Sequence, residues 1–287
     1  MAGLGYFAPT SLDDALAMAA SGDATIVAGG TDFFPALGRG VVRGDLLDLT
    51  RIVELRGIAR TRAGWRIGGA TTWHDVIAAS LPPAFDALKL AAREVGSVQI
   101  QNAGTVAGNI CNASPAADGV PPLLALEAAV EIASVSGIRT VPLARFITGV
   151  RKVDLAPGEI VTALHIPEVS GDARGHFAKL GSRRYLVISI AMVAVVIRLE
   201  AGVIAEARVA VGAASPVATR LPALEKALCG VEPVDVQMPG FVKASHLVPL
   251  RPIDDVRGSA AYRREAVAEL CQRVVMAAAK AKAEAHG

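Results

Sequence analysis

The sequence predicts an α+β protein of two domains. Three observations carry that expectation. Helical and strand-like patterns alternate up to Pro167, the turn cluster Gly171-Asp172-Ala173 then breaks the chain, and long Val- and Ile-rich strands follow it. An Ala-rich helical pattern closes the chain from about Ser259. The division falls at 1–170 and 171–287, and the first domain itself separates into lobes of approximately 1–55 and 56–170.

Each element has its own signal. Ser11-Leu12-Asp13-Asp14 resembles a capping box with Asp in place of Glu, and Leu12, Ala15, Leu16 and Ala19 then recur at helical spacing, with Gly22 as the stop. Residues 24–28, 45–49 and 65–69 read as strands, and the last runs into a second capping-box pattern at Thr72-Trp73-His74-Asp75. Residues 82–95 are helical in pattern. Gly96 to Asp118 shows no clean periodicity and reads as one long loop, a length that in a compact domain usually marks function or disorder; its low charge argues against disorder. Residues 121–126 look helical, and 130–134 and 159–166 strand-like, with Pro167 closing the last. Beyond the boundary, 177–180, 189–200 and 203–213 read as strands, the last two joined by a hairpin turn at Ala201-Gly202, and a helix follows over 219–228. The apolar run LVISIAMVAVVI from Leu186 to Ile197 is too short for a bilayer, which needs about 20 residues; it predicts a strand buried on both faces.

The chain is 52% hydrophobic but only 4% aromatic, with a mean hydropathy of +0.44. Much of the excess is Ala and Val. That content excludes a disordered chain, and one reading of it is surface covered at a subunit interface. A formal charge of +2 without a basic stripe argues against nucleic acid as partner. Cys111, Cys229 and Cys271 form no CxxC pair and no zinc or iron–sulfur spacing, so a reducing, cytoplasmic setting is expected. Met1 to Tyr6 lacks the basic and apolar regions of a signal peptide. The five histidines are scattered, which predicts no metal site. No Walker sequence is present and no Ser–His–Asp or Cys–His constellation assembles from local sequence. Gly3-Leu4-Gly5-Tyr6-Phe7-Ala8 matches GxGxxA as text, yet no strand precedes it, and the pattern carries meaning only between a strand and a helix.

Two loops remain. Ile26 to Asp32 delivers Gly29 and Gly30, then Thr31 and Asp32, from a strand. Such glycines let backbone N–H groups approach an anion; a tight strand-to-loop turn is the plainer reading. Gln99 to Asp118 concentrates small residues and amide side chains. Small residues let a chain lie flat against a ligand, and amides offer donors and acceptors to a ring edge; an Asn-rich structural loop is the alternative.

The pair is more specific than either loop. Ala28-Gly29-Gly30-Thr31-Asp32, followed about 70 residues later by N-x-x-T-x-x-G-N-x-x-N-A-S-P-A-A-D ending at Asp118, resembles the FAD-binding (medium) subunits of the xanthine dehydrogenase and carbon monoxide dehydrogenase group of molybdenum hydroxylases. Ile67 to Thr72, Lys179 to Arg184, and Pro252 to Ser259 with Tyr262-Arg263 extend the resemblance over almost the whole chain. It implies a two-lobed FAD domain of the vanillyl-alcohol-oxidase (PCMH) type and a small α+β C-terminal domain of the CO dehydrogenase flavoprotein type. By the same resemblance Ala28 to Asp32 wrap the FAD diphosphate from one side. Thr105, Val106, Ala107, Gly108 and Asn109 hold it from the other, with Asn109 reaching towards the flavin. Asp118 bonds the ribityl or flavin portion, Lys179 approaches the ring system, and Val27 and Val161 join the contacts. An exposed lysine near a domain boundary is the plainer reading of Lys179.

Three positions depart from the family pattern: Ala107 stands where glycine is usual, Phe33-Phe34 replaces an aliphatic pair, and Ile188 stands where Asp is expected. Neither loop places a His or a free Cys where the family would attach the flavin covalently, and Cys111, the one thiol nearby, reads as packing, so FAD is expected to be noncovalent. The implied activity is electron relay. An iron–sulfur small subunit would supply electrons taken by a molybdopterin large subunit from an organic substrate, and NAD or another acceptor would receive them. A self-contained flavin oxidoreductase and a non-catalytic assembly subunit are the competing readings; Ala107 gives the second its foothold.

Overall fold

The computed structural model describes residues 5–22, 24–169 and 171–280. Gly3 and Leu4 of the GxGxxA match, most of the Met1–Tyr6 segment, and the end of the Ala-rich pattern past Lys280 therefore lie outside the described residues. Two compact units form. The first takes residues up to Ala78, Ser97–Ala113 and Ala128–Pro167; the second takes Ala79–Gly96, Ser114–Glu127 and the chain from Glu168 onward.

Among its described residues the first unit holds three sheets, the smallest being the antiparallel pair Ile147–Gly149 and Lys152–Val153. Strands Tyr6–Phe7, Asp45–Asp48 and Ala24–Val27 form a parallel three-stranded sheet with Asp45–Asp48 in the centre. Helix Leu12–Ala19 buries Ala15, Leu16 and Ala19 against Leu47, Leu49 and Ile52. Its start is the capped one the sequence predicts, for Ser11 accepts the Asp14 N–H. The second sheet is antiparallel, in the order Ile58–Thr61, Gly64–Gly68, Ile160–Pro167, Ala129–Ser134, Gly137–Pro142. A register shift between Val161 and Ala163 bends its central strand beside the Gly69 turn.

The second unit is a four-stranded antiparallel sheet, Arg174–Leu180, Ala191–Glu200, Val203–Gly212 and Thr219–Arg220 in order, covered by helices. Helix Asp86–Glu94 packs on Arg174–Leu180, and helix Ala260–Lys280 packs on Ala191–Glu200. The run from Ala191 to Ile197 is buried on both faces, as the sequence predicts. Its expected beginning is not: Leu186 and Ile188 lie in an exposed loop at 57% and 55% exposure, and Leu186 has φ 50°. The hairpin turn is also as predicted, with φ 49° at Ala201 and 88° at Gly202, the double positive φ that matches strand twist. Residues 219–228 divide into strand Thr219–Arg220 and helix Pro222–Leu228, because Pro222 sets a new helix start.

One expectation is corrected outright. Gly96 to Asp118 is not a single loop but carries two short helices, Val98–Ala103 and Val106–Asn112. Ser97 accepts the Ile100 N–H at 3.4 Å and Thr105 accepts the Gly108 N–H at 3.0 Å. Turns of six or seven residues cannot display periodicity, and Gly and Asn are weak helix formers. Capping and the burial of Val106, Ala107 and Ile110 hold the second helix where propensity does not.

Among the described residues no helix is long and apolar enough to cross a membrane.

Candidate functional site

In the first unit the two loops meet at one backbone contact. A Cβ on Gly29 would lie 1.8 Å from the Ala103 carbonyl oxygen, so no larger residue fits while the Val98–Ala103 helix ends there. Gly30 follows with φ +64°, the left-handed region, and the Phe34 ring covers it at 2.5 Å from a would-be Cβ. The bulky Phe33-Phe34 pair is thus accommodated: the rings pack edge to face at 5.2 Å, and Phe34 remains half exposed. Among the described residues neither the Gly29 nor the Thr31 N–H finds a hydrogen-bond acceptor. Donors left open beside a positive-φ glycine form the concavity that takes an anion.

The second loop is fixed from below. Thr105 is buried and bridges Thr72; Trp73 N–H donates to Gly104 O at 3.1 Å and Val106 N–H to Thr71 O at 3.0 Å. The capping box predicted at Thr72 secures that support. Thr72 N–H donates to Asp75 Oδ2 at 2.9 Å and Asp75 N–H to Thr72 Oγ1 at 3.1 Å. Ala107 turns its methyl into the packed side of the helix, at 8% exposure, while Gly108 is exposed. Asn109 is half-buried, and its Oδ1 is buried without a hydrogen-bond partner. An orphaned buried acceptor of this kind calls for a ligand donor or an ordered water. Val27 and Val161 are both buried at strand positions, and Asp32 is exposed. Burial pushes the Cys111 thiol up to about 12, which favours the protonated thiol over the nucleophilic thiolate.

In the second unit Asp118 and Lys179 are brought together. Lys179, from strand Arg174–Leu180, donates from Nζ to Asp118 Oδ2 at 3.0 Å, with side-chain exposures of only 7% and 11%. Ser189 Oγ donates to the other oxygen, Oδ1, at 2.8 Å. Burial pushes the Asp118 carboxyl above its ordinary range, and Lys179 and Ser189 pull against that rise. Lys179 is therefore not the exposed lysine of the plainer reading. Ser189 went unnoticed because it sits inside an apolar run; its neighbour Ile188, where an acid was expected, points to solvent.

Comparison with known proteins places this chain among relatives. Residues 2–169 match the model of the FAD binding domain in molybdopterin dehydrogenase, and 176–278 match that of the CO dehydrogenase flavoprotein C-terminal domain. The chain belongs to this family. It is 33% identical to the xanthine dehydrogenase FAD-binding subunit of Escherichia coli O157:H7, over 96% of each chain. It is 31% identical to the glyceraldehyde dehydrogenase medium chain of Sulfolobus acidocaldarius, over 93% of this chain and 95% of that one. Among solved structures, carbon monoxide dehydrogenase from Hydrogenophaga pseudoflava superposes with a TM-score of 0.85 at 29% identity, covering 96% of both chains. This family member is thus an FAD-dependent oxidoreductase subunit, and its fold is an FAD-binding domain followed by a CO dehydrogenase flavoprotein C-terminal domain.

Proposed function

We propose that the chain is the electron-relay subunit of a cytoplasmic molybdenum hydroxylase. Electrons would come from iron–sulfur centres in a small partner, after a large molybdopterin partner oxidises the organic substrate, and would leave to NAD or another acceptor. The observation that carries this reading is the end-to-end similarity to chains named as FAD-binding subunits and medium chains of such dehydrogenases. The free cysteines Cys111, Cys229 and Cys271 agree with a reducing compartment.

The donors present suit FAD. Bound FAD supplies the exchange between one-electron and two-electron carriers. The open N–H groups of Gly29 and Thr31, in the turn from Ala28 to Asp32, would bind the diphosphate, and the Thr105–Asn109 turn would face it. Asn109 Oδ1 would accept from the cofactor and lose its orphan status. Lys179 Nζ would favour negative charge on the flavin, tempered by Asp118.

Flavin bleaching by substrate tests the relay. The purified chain alone should leave its flavin oxidised when the complex's organic substrate is added, and the two partners should restore reduction. Full-rate bleaching by the chain alone would replace the relay with a self-contained flavin oxidoreductase. Acid precipitation should release yellow cofactor into the supernatant, as noncovalent binding requires.

A further inference from the structure

Beside the residues assigned to the cofactor, a buried hydroxyl bonds to Asp118. Ser189 is 2% exposed and spends its O–H on Asp118 Oδ1. The backbone beside it is held from two directions. Ile190 N–H donates to Leu180 O at 2.7 Å, and the Ile190 carbonyl accepts from Arg263 Nη1. Arg263 is 3% exposed; it also donates to Ala213 O at 2.9 Å and to Asp255 Oδ1 at 2.6 Å. A guanidinium is costly to bury, so one spent on two carbonyls and a carboxylate fixes the segments it ties. The segment Arg263 ties next to Ser189 is the one that presents the Ser189 hydroxyl to Asp118.

We propose that Ser189 is a positioning residue for Lys179. By holding Asp118 Oδ1 it keeps the carboxylate ionised, with Oδ2 turned onto Lys179 Nζ, so that the flavin meets a salt bridge and not a bare cation. The inference rests on reading Asp118 and Lys179 as flavin-side groups. The groups acting on the carboxyl are Lys179 from strand Arg174–Leu180, Ser189 ahead of strand Ala191–Glu200, and Glu94 from helix Asp86–Glu94, whose negative charge opposes ionisation. Without the Ser189 hydroxyl, Asp118 would keep Lys179 as its one hydrogen-bonding side chain and would take up a proton at higher pH. Protonation would strip Lys179 of its counter-charge and make the flavin easier to reduce.

The test is the flavin midpoint potential of the FAD-loaded chain, with its partners, followed across pH. Ser189→Ala should retain FAD and give a more positive potential on the acid side. The break in the pH profile should move upward by about one unit, a tenfold change in proton affinity and the scale of one hydrogen bond to a charged group. Ser189→Thr keeps the hydroxyl and should restore the original profile, which loss of packing alone would not do. If Lys179→Met shifts the potential while Ser189→Ala matches the unmodified protein at every pH, the role of Ser189 is overturned. If Lys179→Met changes neither potential nor FAD content, the flavin-side reading of Lys179 falls, and this inference with it.

Discussion

At the scale of single residues, the candidate cradle is set by what backbone and space allow. Gly29 has no room for a methyl against the Ala103 carbonyl, and Gly30 occupies a backbone region that costs an L-residue about 1 kcal/mol or more. Gly29→Ala should push the two loops apart, and Gly30→Val should strain the turn and displace Phe34. Losing one hydrogen bond to a charged group costs about 1.5–3 kcal/mol, so each variant should hold FAD at least tenfold more weakly in a titration followed by flavin fluorescence. Unchanged affinity in both would remove these loops from the diphosphate. Ala107 behaves differently. Its methyl faces the packed side of the helix, so Ala107→Gly should lower the melting temperature through helix propensity while leaving FAD affinity unchanged or tighter; a weaker complex would mean the methyl serves the site.

At the scale of elements, legibility depended on how far each pattern runs. The Leu12–Ala19 helix, the Ala191–Glu200 strand and the Ala201-Gly202 turn were readable because apolar spacing or turn chemistry repeats over enough residues to be counted. The Val98–Ala103 and Val106–Asn112 helices were not, because each is shorter than two turns and gains its order from neighbours such as Thr71 and Thr72. Short strands such as Ile58–Thr61 and Gly137–Pro142 carry too little alternation to stand out. In the site, glycines and Asp118 were legible as a motif, but Ser189 was not, since nothing local tells a buried serine just ahead of a Val-rich strand that it faces a carboxylate. The Thr72–Asp75 box ties these levels together: it caps Trp73–Ala78 and supports the loop that carries Thr105. Asp75→Ala should cost about 1 kcal/mol in urea denaturation, the usual value of a cap, and Asp75→Asn should recover part of it. Full stability in Asp75→Ala would mean that the loop is supported without the cap.

At the scale of the whole molecule, charge and burial act in opposite senses on acid stability. Glu159 is held below the ordinary glutamate value by its paired hydrogen bonds from Arg139 at 2.7 Å. Asp255 is held down by the Arg257 N–H first and by Arg263 as well. In the unfolded chain both carboxyls return to ordinary values, so the unfolded state takes up protons first as pH falls. Their stabilisation is therefore complete at neutral pH and drains away through and below the ordinary carboxylate range. Asp118 and Asp86 run the other way, because burial raises both. The folded state binds their protons more tightly, which favours folding on acidification. The acid limb of the stability curve is thus a difference between the two groups, and the Arg139 pair is the simplest member to isolate. Glu159→Gln should lower the urea midpoint near pH 7, and its deficit should be smaller near pH 3, below the ordinary glutamate range, where the stabilisation by the ion pair is being lost. A deficit of equal size at both values would show that Glu159 contributes through shape and neutral hydrogen bonding, and that the ion pair with Arg139 carries none of the pH dependence.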